Sequence, residues 1–180
     1  MALDIGTLAS KANDYKQILE NTIDYRKKWD KSMKPTILKT LKEILKQTEI
    51  KGKINEQDNI ENLGAIVLDL GRTASGISEN LENTDIKRAM IKSNGALIYQ
   101  QLFNGKVMIM TVAPYIEGYG EPKPPKPLEI LRPSELTPGF IIRHVEVFLK
   151  EITEWEDYDD DEPTQKNAFN PIGFNRQEEG

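Results

Sequence analysis

From Gly95 to Ala113 the chain reads GALIYQQLFNGKVMIMTVA, two runs of strand-forming residues separated by Asn104-Gly105. Asn and Gly tolerate positive φ best, so the pair predicts a two-residue loop and a tight antiparallel hairpin. The register that follows sets Phe103 opposite Lys106, Leu102 opposite Val107, Gln101 opposite Met108 and Tyr99 opposite Met110. On that register Leu97, Tyr99, Phe103, Met108, Met110 and Val112 share one face, and Ile98, Leu102, Val107 and Ile109 share the other. Both faces are largely apolar. Such a hairpin has to be covered twice, by helices of its own chain on one side and by a partner or the returning C-terminal tail on the other.

Upstream the period changes from two to between three and four. Ile5, Leu8, Ala12, Tyr15, Leu19, Thr22, Arg26, Trp29 and Met33 fall at alternating spacings of three and four, a heptad-like stripe with weak members at Ala12, Thr22 and Arg26. Lys34-Pro35 interrupts any single long helix, because proline removes a donor and biases the preceding residue away from helical geometry. A second amphipathic helix follows, with Ile37, Leu38, Leu41, Ile44 and Leu45 on one face and Lys39, Lys42, Glu43, Lys46 and Glu49 on the other. The pair reads as a helical hairpin or bent arm. It either packs on the sheet or serves self-association.

The segment Ile50–Glu56 predicts a short edge strand, and LGAIVLDLG (Leu63–Gly71) a central one. Residues Gly71–Asn83 are too small and polar for core and read as a surface loop. Thr84–Asn94 fits either a helix start or a strand entering the hairpin. Six of the ten prolines then lie between Pro114 and Pro133, predicting a semi-rigid extended strap. Thr137-Pro138 opens a third helix with Ile141, Val145, Phe148, Ile152 and Trp155 as its apolar stripe. Beyond Glu156 the apolar content is too low to fold alone, yet Phe169, Ile172 and Phe174 stand out as a short docking motif. The expectation is an α+β protein: a helical arm (1–49), a core of helix and antiparallel sheet (50–155), and an acidic tail (156–180).

Composition refines this picture in three ways. A chain of 180 residues without cysteine excludes disulfides, thiol nucleophiles and cysteine-bound metals, and fits a reducing compartment. No apolar run approaches a membrane span and the first residues lack a signal-peptide pattern, so a cytoplasmic location is expected. The net charge of −5 hides strong polarity. Residues 26–53 carry ten basic and three acidic groups, whereas residues 151–180 carry two basic and ten acidic ones. The two blocks attract each other, within a molecule or between copies, through contacts that salt weakens.

Few residues invite chemistry. Asp69-Leu70-Gly71-Arg72-Thr73 resembles the first phosphate loop of the actin and Hsp70 ATPase superfamily. The resemblance covers five residues, and that fold needs a far longer chain with a second phosphate loop. Gly71–Ser78 also has the glycine spacing of a phosphate-binding loop, with Ile77 in place of the required lysine. A glycine-punctuated surface loop is the expectation for both. His144 is the only histidine, which excludes a histidine cluster, and its apolar neighbours on the third helix predict a structural role. The acidic run Glu156–Glu162 lacks the ligand order of an EF-hand. Pro122–Pro127 has the P-x-x-P spacing of groove ligands, although in a connector it reads as a spacer.

These readings favour a non-catalytic interaction or assembly protein without cofactor or metal, such as a subunit or adaptor of a larger phage-like or secretion-apparatus-like particle. Its partners would be proteins or copies of itself, engaged through Ile98, Leu102, Val107 and Ile109 on the sheet and Phe169, Ile172 and Phe174 in the tail. The alternative is an accessory protein that binds nucleic acid without sequence preference through Arg26, Lys27, Lys28, Lys31, Lys39, Lys42 and Lys46, with the acidic tail as internal competitor. Lysine dominates that set, which suits point-charge contact with phosphates better than base recognition.

Overall fold

The computed structural model describes residues 4–158, so the docking motif Phe169, Ile172 and Phe174 and the tail from 159 onward lie outside the described residues. The fold is α+β. Helix α1 (Gly6–Lys28) runs through a π-helical turn (Trp29–Met33) into α2 (Lys34–Thr48). Eight strands follow: β1 (Lys53–Gln57), β2 (Ala65–Asp69), β3 (Arg72–Asn80), β4 (Lys87–Ser93), β5 (Ala96–Gln101), β6 (Val107–Val112), β7 (Tyr115–Ile116) and β8 (Lys126–Leu131). Helix α3 (Pro138–Glu156) closes the described chain.

The proline at 35 does not break the helical path. A proline inside a helix removes its own N–H and crowds the carbonyl four residues earlier. Here a π-turn accommodates it, and the N–H of Lys34 bonds the carbonyl of Trp29, five residues back. The widened turn also points Trp29 and Met33 into the core, where each is about 2% exposed.

A five-stranded antiparallel sheet of order β1-β2-β5-β6-β8 forms the centre, and a three-stranded sheet of order β3-β4-β7 extends from it. One face of the larger sheet presents Ile66, Leu68, Leu97, Tyr99, Val107, Ile109 and Leu131 to the helices. Ile37 and Leu41 of α2 and Ile141, Val145 and Phe148 of α3 complete that core. The opposite face carries Val67, Ile98, Met108, Met110 and Val112, all half-buried and none in the core cluster. Helices of the chain thus cover one side of the sheet, as both faces being apolar requires of at least one.

Three further sequence expectations need correction. The β5–β6 loop has three residues, not two: Gly105 N–H donates to Leu102 O and Leu102 N–H donates to Lys106 O, each at 2.8 Å. Gly105 takes φ +77, whereas Asn104 is absent from the non-glycine residues with positive φ, so only one left-handed position is used. The register is therefore Gln101 opposite Val107, Tyr99 opposite Ile109 and Ile98 opposite Met110. A slip of one residue turns a whole strand over. Val107 and Ile109, expected on the outer face with Ile98 and Leu102, are fully buried in the core, and Met108 and Met110 take their place outside.

The other two corrections concern segments expected to be irregular. Residues 71–83 contain strand β3, which pairs with β4 around an irregularity between Ala74 and Ser78 where Gly76 has φ +80. Small and polar residues do keep out of the core, but here as an exposed hairpin rather than a loop. The proline strap ends in strand β8, which pairs with β6. Pro127 is tolerated there because β8 is an edge strand, with no neighbour to receive the missing N–H.

Candidate interaction surfaces

Helix α1 is 23 residues long, about 34 Å at 1.5 Å per residue, and contains no buried residue. Its apolar side chains lie open: Leu8 is 66% exposed, Tyr15 63% and Leu19 48%. Ile5, Ile18 and Ile23 are more than half exposed as well. At 100° per residue all six, with Ala12 and Thr22, fall within an arc of roughly 140°, one continuous stripe. The heptad-like spacing identified most of this stripe; Ile18 and Ile23 broaden it.

Only the foot of α1 is pinned. The Arg26 guanidinium donates to Phe103 O from Nε at 3.2 Å and from Nη2 at 2.7 Å. Gly105, in the same hairpin tip, lies so close that a Cβ there would stand 2.6 Å from Tyr25 Cβ and 2.9 Å from Arg26 N. The hairpin turn thus grips α1 at Tyr25 and Arg26. Short isolated helices are marginal in water, and most helical stability comes from packing an apolar face. Helix α1 has that face and nothing in the described chain upon it.

The basic residues divide. Arg26 is committed to Phe103, and Lys28 pairs with Asp24 at 2.8 Å. Lys27, Lys31, Lys39, Lys42 and Lys46 are exposed and make no ion pair among the described residues. Lys39, Lys42 and Lys46 share one side of α2 at spacings of three and four, opposite the buried Ile37 and Leu41.

The segment that resembles a phosphate loop is closed on itself. Asp69 Oδ1 accepts from Gly71 N–H at 2.7 Å, and Thr73 Oγ1 donates to Asn94 Oδ1 at 3.1 Å. Arg72 is drawn to Glu117 at 3.3 Å. These groups tie the start of β3 to the strands beside it.

His144 is buried in a polar cluster that runs from Tyr99 in the core to Glu129 and Arg143 at the surface. It is 2% exposed, with Nε2 2.5 Å from Glu129 Oε1 and Nδ1 3.2 Å from Tyr99 Oη. Arg143 also binds Glu129. Burial pushes the imidazole below its ordinary value, against the opposing pull of Glu129. Burial would raise the Glu129 carboxyl, but its hydrogen bonds from His144 and Arg143 outweigh that and hold it below the usual range. A neutral ring facing a carboxylate keeps its proton on Nε2, so Tyr99 donates to Nδ1. Desolvation raises the Tyr99 phenol well above its ordinary value and keeps it protonated. The Tyr99 hydroxyl and both ring nitrogens of His144 thus each have a hydrogen-bond partner within the cluster.

Among the described residues no group of three or more histidine, aspartate or glutamate side chains is placed to hold a metal ion. Among them, too, no helix is long and apolar enough to cross a membrane. Compared with models of protein families, with curated proteins and with solved structures, the chain matches none of them.

Proposed function

We propose that this protein is a non-catalytic assembly component that associates through α1, with copies of itself as the primary partner. The observation that carries the reading is a 23-residue helix with no buried residue whose five large apolar side chains, with Ile5 at the N-cap, lie open along one stripe. Burying the exposed half of such a side chain is worth about 1 kcal/mol. Six of them on each of two helices supply on the order of 10 kcal/mol, comparable with the cost of bringing two molecules together. The half-buried outer sheet face, with Ile98, Met108 and Met110, is a second surface for the same role. A subunit or adaptor of a larger particle, in a cytoplasmic setting, is the setting we favour.

Sedimentation of the full chain across a range of concentrations tests the reading. Reversible association is expected, and it should vanish when Leu8, Tyr15 and Leu19 are all replaced by Ser. A chain that stays monomeric at every concentration would remove self-association, and with it the reading.

A second reading rests on the five exposed lysines without an ion partner, which suit the phosphate backbone of a nucleic acid. It expects binding to single- or double-stranded DNA or RNA at low salt that fades steeply as salt rises. Replacing Lys39, Lys42 and Lys46 by Gln should then flatten the salt dependence.

A further inference from the structure

A cavity of about 300 Å³ lies where the π-turn meets the start of β2 and the end of β5. Two buried N–H groups in its wall have no hydrogen-bond partner: Trp29 Nε1 and Gln101 Nε2. Trp29 is 2% exposed and Gln101 1%. The Gln101 amide cannot be turned over to relieve this, because its Oε1 accepts from Gly64 N–H at 3.1 Å. A flipped amide would set two donors against each other. Leaving a buried donor unmet is costly, and native proteins rarely leave two side by side.

Gly64 lies between the two donors. A Cβ there would stand 3.1 Å from Trp29 Nε1 and 2.8 Å from Asp58 Oδ1. The absent side chain leaves the inner end of the cavity clear beside Trp29 Nε1. Two unmet donors on residues that line one cavity ask for an acceptor oxygen.

The rim asks for the opposite charge. Asp30, Asp58 and Glu61 line the cavity with Lys34. Lys34 Nζ is 2.8 Å from both Asp58 Oδ2 and Glu56 Oε2, so it is already matched to that pair. Asp30 and Glu61 make no ion pair among the described residues. Two carboxylates without a counter-charge thus stand over two donors without an acceptor, and no three of these acids are placed to hold a metal ion among the described residues.

We infer that this cavity binds a lysine or arginine residue of a peptide, whose amide oxygen accepts from Trp29 Nε1 and Gln101 Nε2 while its cationic head meets Asp30 and Glu61. A free amino acid fits less well, because its own carboxylate would enter a rim that already holds three. The inference stands apart from the reading of α1, since none of its groups belongs to the exposed stripe.

The probe is N-acetyl-L-argininamide, followed by the indole N–H resonance of Trp29 in the full ¹⁵N-labelled chain, assigned against Trp155 with Trp29→Phe. A saturable shift is expected. N-acetylglycinamide, which lacks the cation, and free L-arginine, which adds a carboxylate, should each bind about tenfold more weakly. D30N combined with E61Q should weaken the blocked arginine by about tenfold, and these exposed positions leave the fold intact. G64A, at a position without positive φ, should abolish the shift by filling the inner end. A Trp29 resonance that no probe moves would mean a bound water only and would overturn the inference. So would equal binding of N-acetylglycinamide, or of free L-arginine, because then neither the cation nor the blocked backbone is being recognised.

Discussion

The guanidinium of Arg26 donates two hydrogen bonds to the carbonyl oxygen of Phe103, 77 residues further along the chain. That link joins the foot of an otherwise open helix to the tip of the central hairpin. It explains how α1 can be held in place while burying none of its own residues. Where α1 enters the π-turn, Trp29 and Met33 continue the grip into the core.

Gly105 is the residue that lets this joint close. G105A should destabilise the protein by about 3 kcal/mol or more, since it adds strain at φ +77 to a 2.6 Å approach to Tyr25 Cβ. G71A provides the control, with the same φ of +77 but nothing within 4 Å of the added methyl. It should cost only about 1 kcal/mol. Urea denaturation of both variants measures the difference, and equal losses would mean that the hairpin tip does not press on α1.

The register of β5 and β6 makes a second, opposed pair of expectations. I109A removes a fully buried side chain and should cost about 2–5 kcal/mol, whereas M110A on the outer face should cost less than about 1 kcal/mol in the monomer. A two-residue Asn-Gly loop would reverse the order. Chemical denaturation decides between them.

How far the sequence could be read follows from these same residues. The three helices, the central hairpin, the strand at Leu63–Gly71 and the α+β class are legible, because period and turn residues agree over those stretches. The hairpin was legible as a hairpin, but Asn104-Gly105 serves a two-residue loop and the end of a three-residue loop equally well. Since Val107 and Ile109 are as apolar as Met108 and Met110, nothing in the pattern marked which pair belonged inside. Residues 72–80 went unread as a strand because Arg72-Thr73-Ala74-Ser75-Gly76 has little apolar content, and an exposed hairpin needs little. The paired orphan donors of Trp29 and Gln101 had no sequence signal at all, since they meet only when the π-turn, Gly64 and β5 come together.

The stripe on α1 predicts a separation of stability from association. Replacing Leu8, Tyr15 and Leu19 by Ser should change the unfolding free energy by no more than about 1 kcal/mol at a dilution where the chain is monomeric. These side chains are 48–66% exposed and have little packing to lose. At high concentration the parent chain should unfold later than the triple variant, because association stabilises the folded form by mass action. Thermal melts at two concentrations test both halves. A large loss at low concentration would mean that α1 packs against its own chain.

The buried ring of His144, between Tyr99 and the partly exposed Glu129, sets the response to acid. The folded imidazole is held below its ordinary 6.5, so below that pH the unfolded chain binds a proton that the folded chain resists. Stability from this group is complete above pH 6.5 and declines as the pH falls beneath it. Glu129 acts in the same direction but later, because its folded carboxyl lies below the ordinary 4.5 and its contribution is lost as acid reaches that lower range. The denaturation midpoint should therefore be level near neutrality and fall in two stages on acidification. H144Q keeps a polar side chain beside Glu129 and Tyr99 but cannot take up the proton, so it should remove the first stage and retain the second. A parent profile flat between pH 6.5 and 4.5 would show that His144 protonates without cost, and that the ring does not stand buried between Tyr99 and Glu129.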